Sequence, residues 1–167
     1  TNEQLLELDV TVLFPSALED AINRDNAARL RCRISCELAN GPTTLDADKI
    51  LQEKGVIVLP DFLANAGGVT VSYFEQVQNS SNFYWELEEV HQRLDEKMTH
   101  AFQAVYEMSR QKQSNLRQAA YLVAVKRLSL LLSVLLGGLW LRERPFLPRV
   151  LGAGLMCAGV GLIALRG

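Results

Sequence analysis

Two uncharged runs near the carboxyl end constrain this chain more than any other feature. Leu128 to Leu141 is fourteen residues without a charge, and Val150 to Leu165 is sixteen more, with the polar turn Arg142-Glu143-Arg144-Pro145 between them. Neither run has a face suited to water, which a surface helix of a globular domain needs. At about 1.5 Å per residue the second run spans roughly 24 Å. Extension back to Phe146, with Pro148 in the first turn, brings it close to a ~30 Å hydrocarbon core. The first run reaches that length by borrowing Tyr121 to Val125, with Lys126 and Arg127 snorkelling. Gly152 and Gly159 are seven apart, as are Gly154 and Gly161, which puts small residues on one face for close packing. Residues 128–167 are therefore expected to form an α-helical, transmembrane hairpin. A buried hydrophobic hairpin is the alternative.

The rest of the chain has a different character. Residues 1–127 carry thirteen Lys and Arg against eighteen Asp and Glu, a net of −5, whereas residues 128–167 carry four Arg and one Glu, a net of +3. Such a break divides the chain into two pieces with different solvents, 1–127 and 128–167. An acidic first piece gives no reason to expect nucleic acid. The three cysteines, Cys32, Cys36 and Cys157, are an odd number without framework spacing, as expected of reduced thiols in the cytoplasm. Cys32 and Cys36 have no second Cys or His pair nearby, and a closed zinc site wants about four ligands, so no metal is expected. His91 and His100 fall on a polar helix and are expected to be solvated. No signal peptide is visible, and a start at Thr1 reads as a truncated beginning.

Hydrophobic periodicity organises residues 1–127. Leu8, Val10, Val12 and Phe14 alternate with neighbours as in a strand ending at Pro15. Ala17 to Ile22 and Asn26 to Leu30 read as short helical turns, and Arg33 to Glu37 as a second strand. Ala39-Asn40-Gly41-Pro42 is a strong loop signal. Thr43 or Thr44 is placed to cap a helix that ends near Lys54-Gly55. Val56 to Leu59, an apolar run before Pro60, has the pattern of a strand buried on both faces. Gly67-Gly68 opens a helix through Val69, Tyr73 and Val77. Leu87, Val90, Leu94, Met98, Phe102 and Val105 form the core-facing stripe of a long amphipathic helix. A last helix begins near Asn115. Strands alternating with helices imply a parallel sheet with right-handed crossovers.

Three blocks stand in order along this piece. They are Ala39-Asn40-Gly41-Pro42-Thr43-Thr44, Leu59-Pro60-Asp61, and Asn65-Ala66-Gly67-Gly68-Val69-Thr70-Val71-Ser72-Tyr73-Phe74-Glu75. Together they resemble the carboxy-terminal domain of the glutamate/leucine/phenylalanine/valine dehydrogenases, and most of all glutamate dehydrogenase, over residues of about 7–127. The resemblance implies a partial Rossmann-like parallel sheet with flanking helices, an α/β fold. It also implies NAD or NADP at the carboxyl ends of the strands, where such sheets bind ligands. By resemblance Asn40 and Asn65 lie along the cofactor, the Ser16-Ala17 turn passes its adenosine side, and Ser72 bonds the side-chain carboxylate of glutamate. L-glutamate and 2-oxoglutarate are the implied substrates, and the parent family forms homo-oligomers. Gly67 and Gly68 let backbone approach a flat ligand at a helix start that favours anions. Asn-Gly and Gly-Gly are also ordinary turn pairs, and on turn chemistry alone Asn40 needs no ligand.

The chain departs from the family at three places. Leu38 stands where a Gly is usual, and would crowd the cofactor or ask for another backbone angle. Ser16 replaces a usual Ala, and Gln76 a usual Trp. No Gly-x-Gly-x-x-Gly follows a strand: Gly152-Ala153-Gly154 has Cys157 where the third Gly belongs. The family's catalytic Lys and Asp lie in its other domain and have no counterpart here, so no catalytic residue is assigned. Leu128-Ser129 through Gly137, Glu143, and Gly152 through Gly159 resemble the last two helices of the drug/metabolite transporters (EamA-like). The whole is expected to be a fragment of an NAD(P)-dependent glutamate dehydrogenase, inactive alone and weak or silent toward cofactor. Residues 1–127 are expected in the cytoplasm and 128–167 at the membrane. The alternative is a membrane-anchored or transporter-derived fusion without catalytic function, joined where Ala119 to Arg127 suits both families.

Overall fold

The computed structural model describes residues 1–141. The chain divides into two compact units, Thr1–Ala120 and Tyr121–Gly167. The first holds a three-stranded parallel sheet of β1 (Val12–Leu13), β2 (Ile34–Cys36) and β3 (Ile57–Leu59), in that order across the sheet. Val12 pairs with Ile34, and Ile34 in turn with Ile57. The helices are α1 (Asn2–Leu6), α2 (Leu45–Glu53), α3 (Asp61–Ala64), α4 (Ala66–Ser81), α5 (Leu87–Lys112) and α6 (Leu116–Leu141). A 3-10 turn spans Ala27–Arg29.

The local chemistry explains most of these boundaries. The Thr44 hydroxyl accepts from the Ala47 N–H and so starts α2, with Asp46 and Asp48 at its positive end. The helix stops at Lys54, and Gly55 follows with φ +75°. Ala47 and Leu51, four apart, are fully buried and turn α2 toward a core of Leu6, Leu13, Ile22, Ala27, Leu30 and Cys32. Truncating Leu51 to Ala would cost about 2–5 kcal/mol through lost burial and the cavity left behind. Asn82 takes a left-handed conformation to close α4, and α5 returns beside it. Phe74 is buried there, edge-on to Trp85 at 5.6 Å, and the Arg93 guanidinium lies 4.2 Å from the Trp85 ring centre.

Four expectations from the sequence need correction. The first strand covers only Val12–Leu13, and Leu8 and Phe14 stay exposed. Ala17 to Ile22 is not helical: its backbone bonds run outward instead. The Asp20 N–H donates to the Gly41 carbonyl, the Ile22 N–H to that of Pro42, and Ile22 forms a parallel bridge with Thr43. The run ending at Leu59 is an edge strand, not one buried on both faces, and Ile57 is half exposed. On α5 only Val105 of the apolar stripe is buried, while Leu87 and Phe102 face water. His91 and His100 are exposed on α5.

Of the hairpin read at 128–167, the second limb and the polar turn lie outside the described residues. The first limb is the end of α6, which runs through position 127 without a break. Among the described residues no helix is long and apolar enough to cross a membrane. The same residues contain no group of three His, Cys, Asp or Glu side chains able to hold a metal ion.

Candidate functional site

The carboxyl ends of the three strands feed three neighbouring loops. After β1, the Pro15 carbonyl accepts from the N–H groups of both Leu38 and Ala39, so the first loop is tied to the second. After β2, the chain turns through Asn40 and Gly41, where Gly41 has φ +55°. After β3, Pro60 leads into α3, and Asn65 is both the last cap of α3 and the first of α4. Parallel strands point all three loops to one edge of the sheet, where open α/β sheets bind ligands.

Asn40 and Asn65, 25 positions apart, meet at this edge. Asn65 Nδ2 donates to Asn40 Oδ1 at 2.8 Å and lies 3.4 Å from the Leu38 carbonyl oxygen. The backbone carbonyl accepts only, so it fixes which end of the Asn65 amide points inward, and that choice fixes Asn40 in turn. The pair itself uses neither the Asn40 N–H groups nor Asn65 Oδ1: donors beside an acceptor. A primary carboxamide presents the complementary set, an acceptor beside donors.

The start of α4 adds to the same edge. No side chain caps its first N–H groups. An ideal Cβ at Gly68 would meet no atom within 4 Å, and one at Gly67 only Leu94 Cδ1 at 3.9 Å. Neither glycine has positive φ, so the chain's own packing and backbone do not call for glycine there. Open space at a helix start without a side-chain cap suits an incoming flat or anionic group.

The other candidates are placed less centrally. Ser16 and Ala17 are exposed in the loop after β1, and the Ser16 hydroxyl turns back onto the Phe14 carbonyl at 2.9 Å. Ser72 is exposed on α4, seven residues from Asn65 and so about 10 Å along the helix. It borders a shallow polar groove with Glu75, Gln76, Asn79 and Ser80 rather than the amide pair. Leu38 adopts no positive φ and is partly exposed, so this position asks for no glycine-only conformation.

A buried charge cluster behind the loops escaped the sequence reading. Glu37, fully buried after β2, accepts from Arg117 Nη2 at 2.6 Å and from the Asp61 N–H at 3.0 Å. Arg117 Nε reaches Asp48 at 3.0 Å, and Nη1 lies 3.9 Å from Asp61. Asp61 Oδ2 accepts from the Gly41 N–H at 2.8 Å. Burial alone would lower the Arg117 pKa, but the hydrogen bonds and charges of Glu37 and Asp48 outweigh it and raise it. The guanidinium stays charged throughout. Asp61 lies in the Leu59-Pro60-Asp61 motif, but nothing near Arg117 in sequence marks it as the partner.

Residues 1–132 match the family described as Glutamate/Leucine/Phenylalanine/Valine dehydrogenase. The chain is 54% identical over 129 residues to an NADP-specific glutamate dehydrogenase of Synechocystis, covering 77% of this chain and 30% of that one. It is 48% identical over 129 residues to the cryptic catabolic NAD-specific glutamate dehydrogenase of Bacillus subtilis, with the same coverage of 77% and 30%. Among solved structures, the hetero-hexameric glutamate dehydrogenase of Thermus thermophilus superposes with a TM-score of 0.74 at 31% identity, over 76% of this chain and 30% of that one. The glutamate dehydrogenase of Peptoniphilus asaccharolyticus gives 0.65 at 41% identity, over 68% and 29%. The chain spans about 30% of the length of the curated relatives it matches.

Proposed function

The chain belongs to the glutamate/leucine/phenylalanine/valine dehydrogenase family, and from that we propose that it carries part of the NAD(P)-binding half of a glutamate dehydrogenase. The parent reaction is oxidative deamination of L-glutamate to 2-oxoglutarate and ammonia. The observation that carries the proposal is the Asn40–Asn65 pair at the strand ends, with donors and an acceptor that the pair does not use. These two amides would hold the nicotinamide carboxamide. The Ser16-Ala17 turn would border the adenosine side. Gly67 and Gly68 would leave room for ligand at the start of α4. Bound NAD or NADP supplies the hydride acceptor for the oxidation. Ser72 is proposed to hydrogen-bond the side-chain carboxylate of the amino acid.

These residues orient a cofactor and do not by themselves move protons. The 167 residues contain no Gly-x-Gly-x-x-Gly after a strand, the usual cradle for a dinucleotide pyrophosphate. The isolated chain is therefore expected to bind NAD(P) weakly at best, and turnover of glutamate is expected to be nil. The chain's relatives include a hexamer by name, and assembly with further copies belongs to the proposal. The membrane-anchored and transporter-derived readings rest on residues 128–167 and draw no support from the described site.

The test is a titration of the isotope-labelled full chain with NADH, followed by nuclear magnetic resonance. Saturating shifts of the Asn40 and Asn65 side-chain amides are expected. Their absence at millimolar NADH, with the fold intact, removes the cofactor reading. Steady NADH production from L-glutamate by the chain alone would contradict the proposed lack of turnover.

A further inference from the structure

Asp61 bonds Asn65 directly and the residue next to Asn40. Its Oδ2 accepts from the Gly41 N–H at 2.8 Å, one residue beyond Asn40. Its backbone carbonyl accepts from the Asn65 N–H at 2.8 Å. Its own N–H is held by Glu37 Oε2 at 3.0 Å, and Arg117 spans Glu37 and Asp48 from α6. The loop after β2, the start of α3 and the first turn of α6 thus converge on one carboxylate.

We propose that Asp61, backed by Glu37 and Arg117, is a positioning residue for the dinucleotide site, fixing Asn40 and Asn65 at hydrogen-bond distance before any ligand arrives. This inference rests on the cofactor reading above. The physical reason is preorganisation. Two exposed amides on separate loops would otherwise have to be ordered by the ligand, and that ordering opposes binding. A loop held at Gly41 by a charged acceptor is ordered in advance, and hydrogen bonds to charged groups are stronger than neutral ones. Gly41 has the left-handed φ that aims its N–H at Asp61, so the glycine and the carboxylate work as one turn. Asp61 touches no reacting atom in this scheme and acts only through the two asparagines.

The experiment uses the labelled full chain and three variants. Asp61→Ala removes the acceptor. Asp61→Asn keeps one oxygen for Gly41. Leu51→Ala destabilises the core at a fully buried site in α2. Hydrogen exchange of the Gly41 amide and the side-chain amide signals of Asn40 and Asn65 are read first without ligand, then during an NADH titration. In Asp61→Ala the Gly41 amide is expected to exchange about tenfold faster, the factor carried by roughly 1.4 kcal/mol, a typical net hydrogen-bond contribution. The Asn40 and Asn65 signals should move toward free-amide positions and the NADH response should weaken by a similar factor. Asp61→Asn should restore Gly41 protection and most of the NADH response. Unchanged Gly41 exchange and Asn signals in Asp61→Ala overturn the proposal, as does the same change in Leu51→Ala. If Asp61→Ala does not fold, Arg117→Lys is read instead. It keeps the charge but loses the fork, and wild-type values there overturn the proposal. Absent NADH shifts in the wild type strike the cofactor reading alone, because the ligand-free Gly41 and Asn signals judge Asp61 separately.

Discussion

Arg117 Nη2 lies 2.6 Å from Glu37 Oε1, although eighty positions separate the two residues. The carboxylate is fully buried and the guanidinium nearly so. The first turn of α6 therefore closes over the end of β2 through a charge pair, with Asp48 and Asp61 sharing the same cation.

Removing the cation alone strands that carboxylate. Arg117→Ala is expected to destabilise the chain by about 3 kcal/mol or more, because an unpaired buried charge is left behind. Adding Glu37→Gln to that variant should recover part of the loss, since a neutral side chain remains and still accepts from the Asp61 N–H. Urea midpoints of the two variants and the double variant check this. A single variant within 0.5 kcal/mol of wild type would show the pair to be inert, since about half a kcal/mol is the range of ordinary surface changes.

Gly41 is constrained by its backbone and not by crowding. A Cβ there would meet nothing within 4 Å, but φ is +55°. Gly41→Ala is expected to cost about 1–2 kcal/mol, the penalty of a left-handed conformation for an L-residue. Gly41→Asn should cost distinctly less, because Asn tolerates that region. Equal midpoints for the two variants in thermal melts would contradict the assignment.

Gly68 separates stability from binding. It lies in the first turn of α4 with open space around it. Gly68→Ala should raise stability by about 0.5–1 kcal/mol, the gain of Ala over Gly in a helix. The same variant should weaken the NADH-induced shifts, since the methyl fills space proposed for the ligand. A stabilised chain with an unaltered NADH response would place the ligand elsewhere.

The thiols supply a pH test. Burial raises the pKa of Cys32, against smaller opposing effects of a backbone hydrogen bond and Lys54, and burial plus the Glu37 charge raises that of Cys36. A folded value above the unfolded one means stability is fully present below the ordinary thiol pKa of about 8.5 and falls as pH rises through the folded values. The urea midpoint should therefore hold between about pH 7 and 8 and decline above about pH 9. In a Cys157→Ser background both thiols should react slowly with a disulfide reagent until urea unfolds the chain, Cys32 more slowly than Cys36. Fast native labelling of Cys32 would contradict its burial.

Local signals were readable where a residue acts on its own neighbourhood. Thr44 caps α2 by accepting from the N–H three residues ahead, Gly55 follows its end, and Asn65-Ala66-Gly67-Gly68 opens α4. The amide pair was readable only through family resemblance, because no periodicity links positions 40 and 65. Ala17 to Ile22 misled because its composition permits a helix, while its partners lie in the loop at Gly41 to Thr43. Ile57 misled because an apolar run looks the same at a sheet's edge as at its centre. Arg117 was invisible for the plainest reason: the residues that explain it are far away in the chain.

That distance has a meaning in time as well as in space. During synthesis Glu37 emerges first, and Arg117 follows eighty residues later. At roughly 5–20 residues per second the wait is about 4–16 s. For that interval the Glu37 carboxylate has no cation to accompany it into the interior and keeps its hydration. The end of β2 and the loop beyond it are therefore expected to finish folding late, set by when α6 arrives and not by how fast the strands pair.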